Sequence, residues 1–393
     1  MERIYLDYAS STPVAEDVAK ETAGVSKKFF GNPSSLHAEG FAAKKILDEA
    51  RGKLARILQC GRDEIIFVSG GTEANNLAIR GVLSAFRKKS PTAKIHAITS
   101  VVEHSSVLAA FKAEEKLGVS VTYLPVGRDG MIAGESVLKA ITQDTAMVSL
   151  QYANNETGVI LSVGKIARAV RRLKDSVKNV PVIHVDASAA AAYLNCSPET
   201  LAADLITFDA QKMYGPKGVG ALYVRKDIPI SPIISGGGQE NNLRAGAVAL
   251  PLVAGFAVAF GQAEERRAGE AARLSKLRAY LRQELQEKIG GIVFNESPGS
   301  RLPNILNFSL PGRDNQMLAL RLDAKGFAVS TKSACEEGEK ISHVVMAMTR
   351  DEKVASATFR VSLGRTTTRR DLSLFVKVLQ KTLSKYMFDK FDT

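Results

Sequence analysis

Cysteine is scarce in this 393-residue chain: Cys60, Cys196 and Cys335 are the three, dispersed along its length. That number and spacing exclude a disulfide framework and a clustered zinc site. No apolar run reaches the ~18 residues of a membrane span, and the start, Met1 to Tyr8, lacks a signal-peptide pattern. The expectation is a cytoplasmic protein without membrane association. Internal repeats and low-complexity linkers are also missing. The formal net charge of +12 raises the question of nucleic acid. The basic residues, however, are scattered rather than interleaved with aromatics. Their densest runs, Arg87 to Lys89, Arg168 to Lys174 and Thr368 to Arg370, fall in helical patterns, where a solvated face explains them. Nucleic acid is therefore set aside, and the charge is read as a general preference for anionic ligands.

The composition is that of an ordinary globular protein, 45% hydrophobic and 24% charged. From about residue 13, helical and strand patterns alternate. Helices are expected at His37 to Leu58, Glu73 to Arg87 and Ser105 to Leu117, the last capped by serine. Strands are expected at Ile65 to Ser69, Ile95 to Val102, Val119 to Leu124, Ala146 to Tyr152, Val182 to Val185, Leu205 to Phe208 and Gly220 to Val224. This rhythm predicts an α/β fold with a mostly parallel seven-stranded sheet flanked by helices. After Gly255 the character changes to a long charged helix, Glu264 to Lys288, an apolar run at Asn304 to Leu310, a helix from Asn315 and a last strand near Thr358 to Ser362. The expected division is a large domain over 13–255 and a small α+β domain from 1–12 and 256–393.

In such sheets ligands gather beyond the carboxyl ends of the strands. Ser69-Gly-Gly-Thr-Glu73 opens a helix there, and its Gly71 amide and Thr72 hydroxyl offer an anion cradle, although Gly-Gly before a helix also reads as a plain turn. His104 follows the next strand and reads equally as a core or capping histidine. Asn154 follows another, and Asp186 closes the Val182 to Val185 strand, where a buried acid must be paired or functional. Lys212 sits beyond Leu205 to Phe208, ahead of Gly215-Pro-Lys-Gly218. It is either a solvated turn lysine or a desolvated amine able to hold an aldehyde. Together these ends supply an anion cradle, a flat ring, an amide, a carboxylate and a lysine, the equipment for pyridoxal 5'-phosphate.

Over nearly its whole length the chain resembles the cysteine desulfurases (NifS/IscS-like) of the class V aminotransferase family. The matching phrases include Tyr5 to Pro13, Gly31 to His37, Ser69 to Asn76, Glu103-His104, Asn154 to Gly158, His184 to Ala187, Lys212 to Gly218, Gly236 to Glu240, Leu243 to Gly246, Ser333-Ala-Cys335 and Arg360 to Arg365. The resemblance implies fold type I of the pyridoxal-phosphate enzymes and a homodimer in which the Gly236 to Gln239 loop reaches the neighbour's pocket. It implies that Lys212 bonds covalently to the cofactor, His104 stacks on its ring and Asp186 pairs with the ring nitrogen. Thr72 and the Gly71 amide would bind phosphate, and Asn154 and Arg360 would hold the substrate carboxylate. Cys335 would take sulfur from L-cysteine as a persulfide, leaving L-alanine. The sulfur would pass to an Fe–S scaffold or another acceptor protein.

Departures from the family pattern gather in the cofactor pocket. Asp209-Ala-Gln211 stands where the family has Ser-Gly-His or Ser-Ala-His, Ala189 where it has a ring-binding Gln, Ala247 where it has a phosphate-binding Thr, and Asn241 where it has Arg. A carboxylate about 4 Å from a phosphate charge costs roughly 4 kcal/mol at an effective dielectric of ~20. Asp209 must turn away, meet a cation or become protonated, or cofactor binding is weak. Two further readings stay open: a non-catalytic paralogue serving as a scaffold in sulfur or Fe–S assembly, and an enzyme for another β-substituted amino acid.

Overall fold

The computed structural model describes residues 3–175, 177, 180–331 and 341–388. Cys335 thus lies outside the described residues. The strands, in chain order, are β1 (Ile4–Tyr5), β2 (Ile65–Val68), β3 (His96–Ser100), β4 (Ser120–Leu124), β5 (Thr145–Gln151), β6 (Val182–Asp186), β7 (Leu205–Asp209), β8 (Gly220–Val224), β9 (Val293–Phe294), β10 (Ile305–Ser309), β11 (Phe327–Ala328) and β12 (Thr358–Ser362). Seven of them form one sheet in the order β2-β8-β7-β6-β5-β3-β4. Only β8 runs against its neighbours, β2 and β7. The expected mostly parallel seven-stranded sheet is therefore present.

Both faces of this sheet are covered, which is why its strands read as near-continuous apolar runs. The pleat sends alternate residues to opposite cores. Ile66, Val68 and Leu222 join Ala74, Leu77, Ala78, Val107 and Phe111 of the helices Gly71–Lys89 and Ser105–Glu115. Ile65, Phe67 and Ala221 face the other way, toward Leu54, Phe256 and Phe260 of the helices Ala38–Leu58 and Leu250–Lys288. The helix expected from Glu264 starts at Leu250, because its first turns are apolar all round and carry no amphipathic pattern. No described helix is long and apolar enough to cross a membrane.

A second, antiparallel sheet has the order β12-β10-β9, and β1 pairs with β11 in parallel. The N-terminal segment then crosses to the large sheet and fastens to the turn after β7. Thr12 N and Oγ1 donate to the Gln211 carbonyl at 3.0 and 2.9 Å, Tyr214 N donates to Thr12 Oγ1 at 2.7 Å, and Ala15 N donates to the Tyr214 carbonyl. Residues 9–15 are thereby laid beside Lys212.

Candidate active site

A cavity of about 260 Å³ opens at the carboxyl ends of the parallel strands. Gly71, Thr72, His104, Asp186, Asp209, Gln211, Lys212 and Arg360, all expected from the sequence, line it, as do Asn75, Ser106, Asn155 and Ser188, which sequence reasoning did not single out. A cavity with a few convergent polar groups on an apolar frame is the usual form of a small-molecule site.

Lys212 ends a single helical turn, Ala210–Lys212, that follows β7. Its Nζ donates to the carbonyls of Ala9 (2.8 Å) and Ser10 (2.6 Å) on the N-terminal segment. The amine points into the cavity rather than to solvent, and Asp209 is turned toward Gln211 instead of toward it. Gly220 permits this strand-end geometry. A Cβ there would stand 2.6 Å from the Phe208 carbonyl and 2.8 Å from the Cα of Gly70, so only glycine lets β8 start against the loop that opens the helix Gly71–Lys89.

Asp186, the last residue of β6, is 8% exposed. Its Oδ1 accepts from Ser188 N at 2.9 Å and its Oδ2 from Asn75 Nδ2 at 2.8 Å. The same Asn75 nitrogen donates to Ser106 Oγ at 2.9 Å, and that hydroxyl lies 2.8 Å from His104 Nδ1. The acid fixes the orientation of the Asn75 amide, since its oxygen cannot face a carboxylate. His104 itself, not a serine, caps the helix Ser105–Glu115: Ser106 N donates to His104 Nδ1 at 3.2 Å. That bond makes Nδ1 an acceptor and leaves the ring proton on Nε2.

Beneath this layer, Glu103 is fully buried, accepts from Ser100 Oγ at 2.5 Å, and has no partner for its Oε2 among the described residues. Burial, aided by the nearby Asp186 charge and opposed by the Ser100 hydrogen bond, pushes its carboxyl up to about 8. His184, also fully buried, is pushed down to about 4 by desolvation, with Asp186 opposing. It lies between Ser149 Oγ (2.7 Å) and Thr207 Oγ1 (3.0 Å).

Arg360 enters from β12 and is 1% exposed. It donates through Nη1 to the Asn155 carbonyl at 3.0 Å and through Nη2 to Asp7 Oδ1 at 2.9 Å and to Ser10 Oγ. Its Nε has no partner among the described residues. Asn154 does not line the cavity. Its Nδ2 donates to the Val102 carbonyl, and its Oδ1 accepts from Glu156 N, Thr157 N and Thr157 Oγ1. Its side chain thus builds the turn, and Asn155 is the neighbour that faces the cavity.

At the far end, Asp209 accepts from Gln211 N (Oδ1, 3.3 Å) and Gln211 Nε2 (Oδ2, 3.0 Å). The two described cysteines are poor nucleophiles, because burial above all pushes both the Cys60 and the Cys196 thiol up to about 12.

Residues 4–375 match the family described as aminotransferase class-V. The chain is 38% identical over 383 residues to cysteine desulfurase IscS of Dictyoglomus turgidum, covering 97% of this chain and 95% of the relative. It is 36% identical over 382 residues to cysteine desulfurase IscS 1 of Archaeoglobus fulgidus, covering 97% of each. Its fold is similar to that of a solved NifS-like protein, with a TM-score of 0.89 and 34% identity over 97% of this chain and 99% of that one. With its strand-end lysine and acid in one cavity and these likenesses along its length, the chain belongs to the class-V aminotransferase family, among the NifS/IscS-like cysteine desulfurases.

Proposed function

We propose that this protein is a pyridoxal-phosphate-dependent cysteine desulfurase that takes sulfur from L-cysteine and leaves L-alanine. The observation that carries the reading is the meeting of Lys212 Nζ, Asp186, His104 and Arg360 around one cavity. The ring end of that cavity fits the cofactor. Asp186 is held in place by Asn75 and Ser188 to pair with a ring nitrogen, and Asn75 Oδ1 and Ser188 Oγ are buried without partners among the described residues. Gly71 and Thr72 open a 19-residue helix whose N-terminus favours a phosphate. When bound, pyridoxal phosphate supplies the electron sink for breaking the C–S bond of cysteine.

The chain's own groups do the rest. Lys212 would hold the cofactor through Nζ and carry protons on that atom. Arg360, whose Nε has no partner among the described residues, takes the substrate carboxylate beside Asn155. His104 presents its Nε2 proton to the cavity. Cys335 accepts the sulfur: substrate thiol plus enzyme thiol give alanine plus a persulfide, with atoms and electrons balanced. Cys335 is assigned this role by the match of Ser333-Ala-Cys335 to the family's cysteine loop, and burial holds the other two thiols protonated. The persulfide is delivered to an acceptor protein for Fe–S cluster or thio-cofactor synthesis. The reading carries with it a cytoplasmic homodimer.

One observation favours the scaffold alternative, namely the Asp209 carboxylate at the phosphate end. A visible spectrum of the purified protein with added pyridoxal phosphate, before and after L-cysteine, separates the two. The enzyme shows a protein-bound chromophore that changes with cysteine, and borohydride fixes the cofactor to the peptide containing Lys212. Alanine then forms in step with persulfide, and Cys335→Ser stops both. A protein that shows no chromophore, or keeps it in Lys212→Ala, is not this enzyme.

A further inference from the structure

We propose that Asp209 is a specificity-determining residue that sets the far end of the cavity against a phosphate ester and narrows the preference for phosphorylated over unphosphorylated pyridoxal. The inference rests on the reading that the cavity takes a pyridoxal cofactor. Four observations carry it. First, Asp209 is 7% exposed and lines the cavity, so its charge is poorly screened. Second, the hydrogen bonds it accepts at the two oxygens both come from Gln211, which brings no charge to neutralise it.

Third, the carboxylate stands at the start of the helix Gly71–Lys89. A Cβ placed on Gly71 would lie 3.3 Å from Asp209 Oδ2 and 3.1 Å from Ser188 Oγ, and one on Gly70 would lie 3.9 Å from Asp209 Oδ1. An anion of the protein's own thus already faces the positive end of that helix. Fourth, Asp209 is braced against turning aside, because the Gln211 that holds it is one residue from Lys212 and has its carbonyl bound by Thr12. Swinging Asp209 away would disturb the turn that aims the lysine.

The chemistry at this end then differs between two ligand tails. A phosphate dianion only accepts hydrogen bonds and meets a like charge. A hydroxymethyl group is neutral and can donate to Asp209 Oδ2 while accepting from Ser188 Oγ, whose hydroxyl is buried without a partner among the described residues.

The test is equilibrium binding of pyridoxal phosphate and of pyridoxal to the cofactor-free full chain, followed by absorbance, for the wild type, Asp209→Asn and Asp209→Ser. Asp209→Asn keeps the shape and an acceptor for Gln211 N, which guards against a variant that merely fails to fold. The expected result is a gain of about 100- to 1,000-fold for pyridoxal phosphate in both variants, with pyridoxal affinity unchanged within about threefold or reduced. The inference is overturned if pyridoxal phosphate affinity stays within about threefold of wild type in both variants, or if both ligands shift by the same factor. Binding of neither ligand to any of the three proteins overturns the cofactor reading itself and this inference with it, a pattern distinct from the other two.

Discussion

Asn75 Nδ2 lies 2.8 Å from Asp186 Oδ2 and 2.9 Å from Ser106 Oγ, so one amide ties the acid on one side of the cavity to the histidine system on the other. Both hydrogens of the amide are used, one on a charged acceptor and one on the serine that meets His104 Nδ1. Hydrogen bonds to charged groups contribute roughly 1.5–3 kcal/mol. Asn75→Ala should therefore weaken pyridoxal phosphate binding by roughly 10- to 150-fold, while borohydride still fixes the cofactor on Lys212. Ser106→Ala, which leaves Asp186 its partner, should lose less. A spectroscopic titration of both variants measures the difference, and equal losses would show that Asp186 is not the group being held.

Much of this site was legible in the sequence, and the misses have definite causes. Lys212, Asp186 and His104 stand at or just beyond strand ends, where an ionisable or polar side chain after an apolar run is conspicuous, whereas Arg360, in the middle of β12, is marked only by the family resemblance. Asn75 and Ser106 were not seen because they sit near the starts of helices, where polarity usually means a solvated face or a cap. The buried side of Asn75, against the half-exposed Asn76, appears only once the helix is laid on the sheet. Asn154 and Asn155 are chemically alike, so the sequence could not say which one builds the turn and which faces the cavity. The fold shows the same division. Strands β7 and β8 are five buried residues each and were found, whereas β1, β9 and β11 have two residues each and carry no period at all.

Arg360 uses Nη1 and Nη2 on the protein and has no partner for Nε among the described residues, an arrangement that lysine cannot copy with its single ammonium group. Arg360→Lys should raise the KM for L-cysteine by roughly 10- to 100-fold, the range of one lost charge-assisted pair, with a smaller change in kcat. Steady-state kinetics with cysteine decide it. A fall in kcat at constant KM would place Arg360 in the chemical step instead of in substrate binding.

Stability should fall as pH rises from about 6.5 to 8, through Glu103. Its folded-state carboxyl titrates at about 8, above its ordinary value, so in this window the native state holds a proton that the unfolded chain has lost. The slope is then negative, ~1.4 kcal/mol per pH unit for one proton. His184 acts the other way, being neutral when folded down to about 4, so it adds stability as pH rises from there toward the ordinary histidine value near ~6.5. The two slopes oppose each other between ~4.5 and ~6.5, and from about 6.5 to 8 the Glu103 slope stands without that opposition. Urea unfolding at pH 6.5 and 8 should show the loss in wild type and a much flatter profile in Glu103→Gln. An identical profile in the variant would assign the slope elsewhere.

Glu240, Asn241 and Asn242 adopt φ values of 48°, 57° and 63°, three consecutive non-glycine residues in the left-handed region. Such residues are individually unfavourable by about 1–2 kcal/mol, less for asparagine, so the turn needs an anchor. The anchor is Glu240. Its two oxygens accept from Arg51 Nη2 (2.6 Å) and Nη1 (2.9 Å), Oε2 also accepts from Phe67 N (2.7 Å), and the Arg51 guanidinium lies 4.9 Å from the Phe67 ring centre. Asn241 Nδ2 adds a bond to the Asp63 carbonyl at 2.8 Å. The side chains of Arg51 and Glu240 are 14% and 2% exposed, so removing one leaves the other charged in a largely dry place. Glu240→Ala should destabilise the protein by roughly 3–5 kcal/mol and open the 235–247 loop to protease. Arg51→Met combined with Glu240→Leu should be less damaging than the two single changes added together, because the double variant leaves no stranded charge. Denaturant unfolding of the four proteins gives the coupling directly. If the single effects add within about 0.5 kcal/mol, the ion pair is not what holds this left-handed turn.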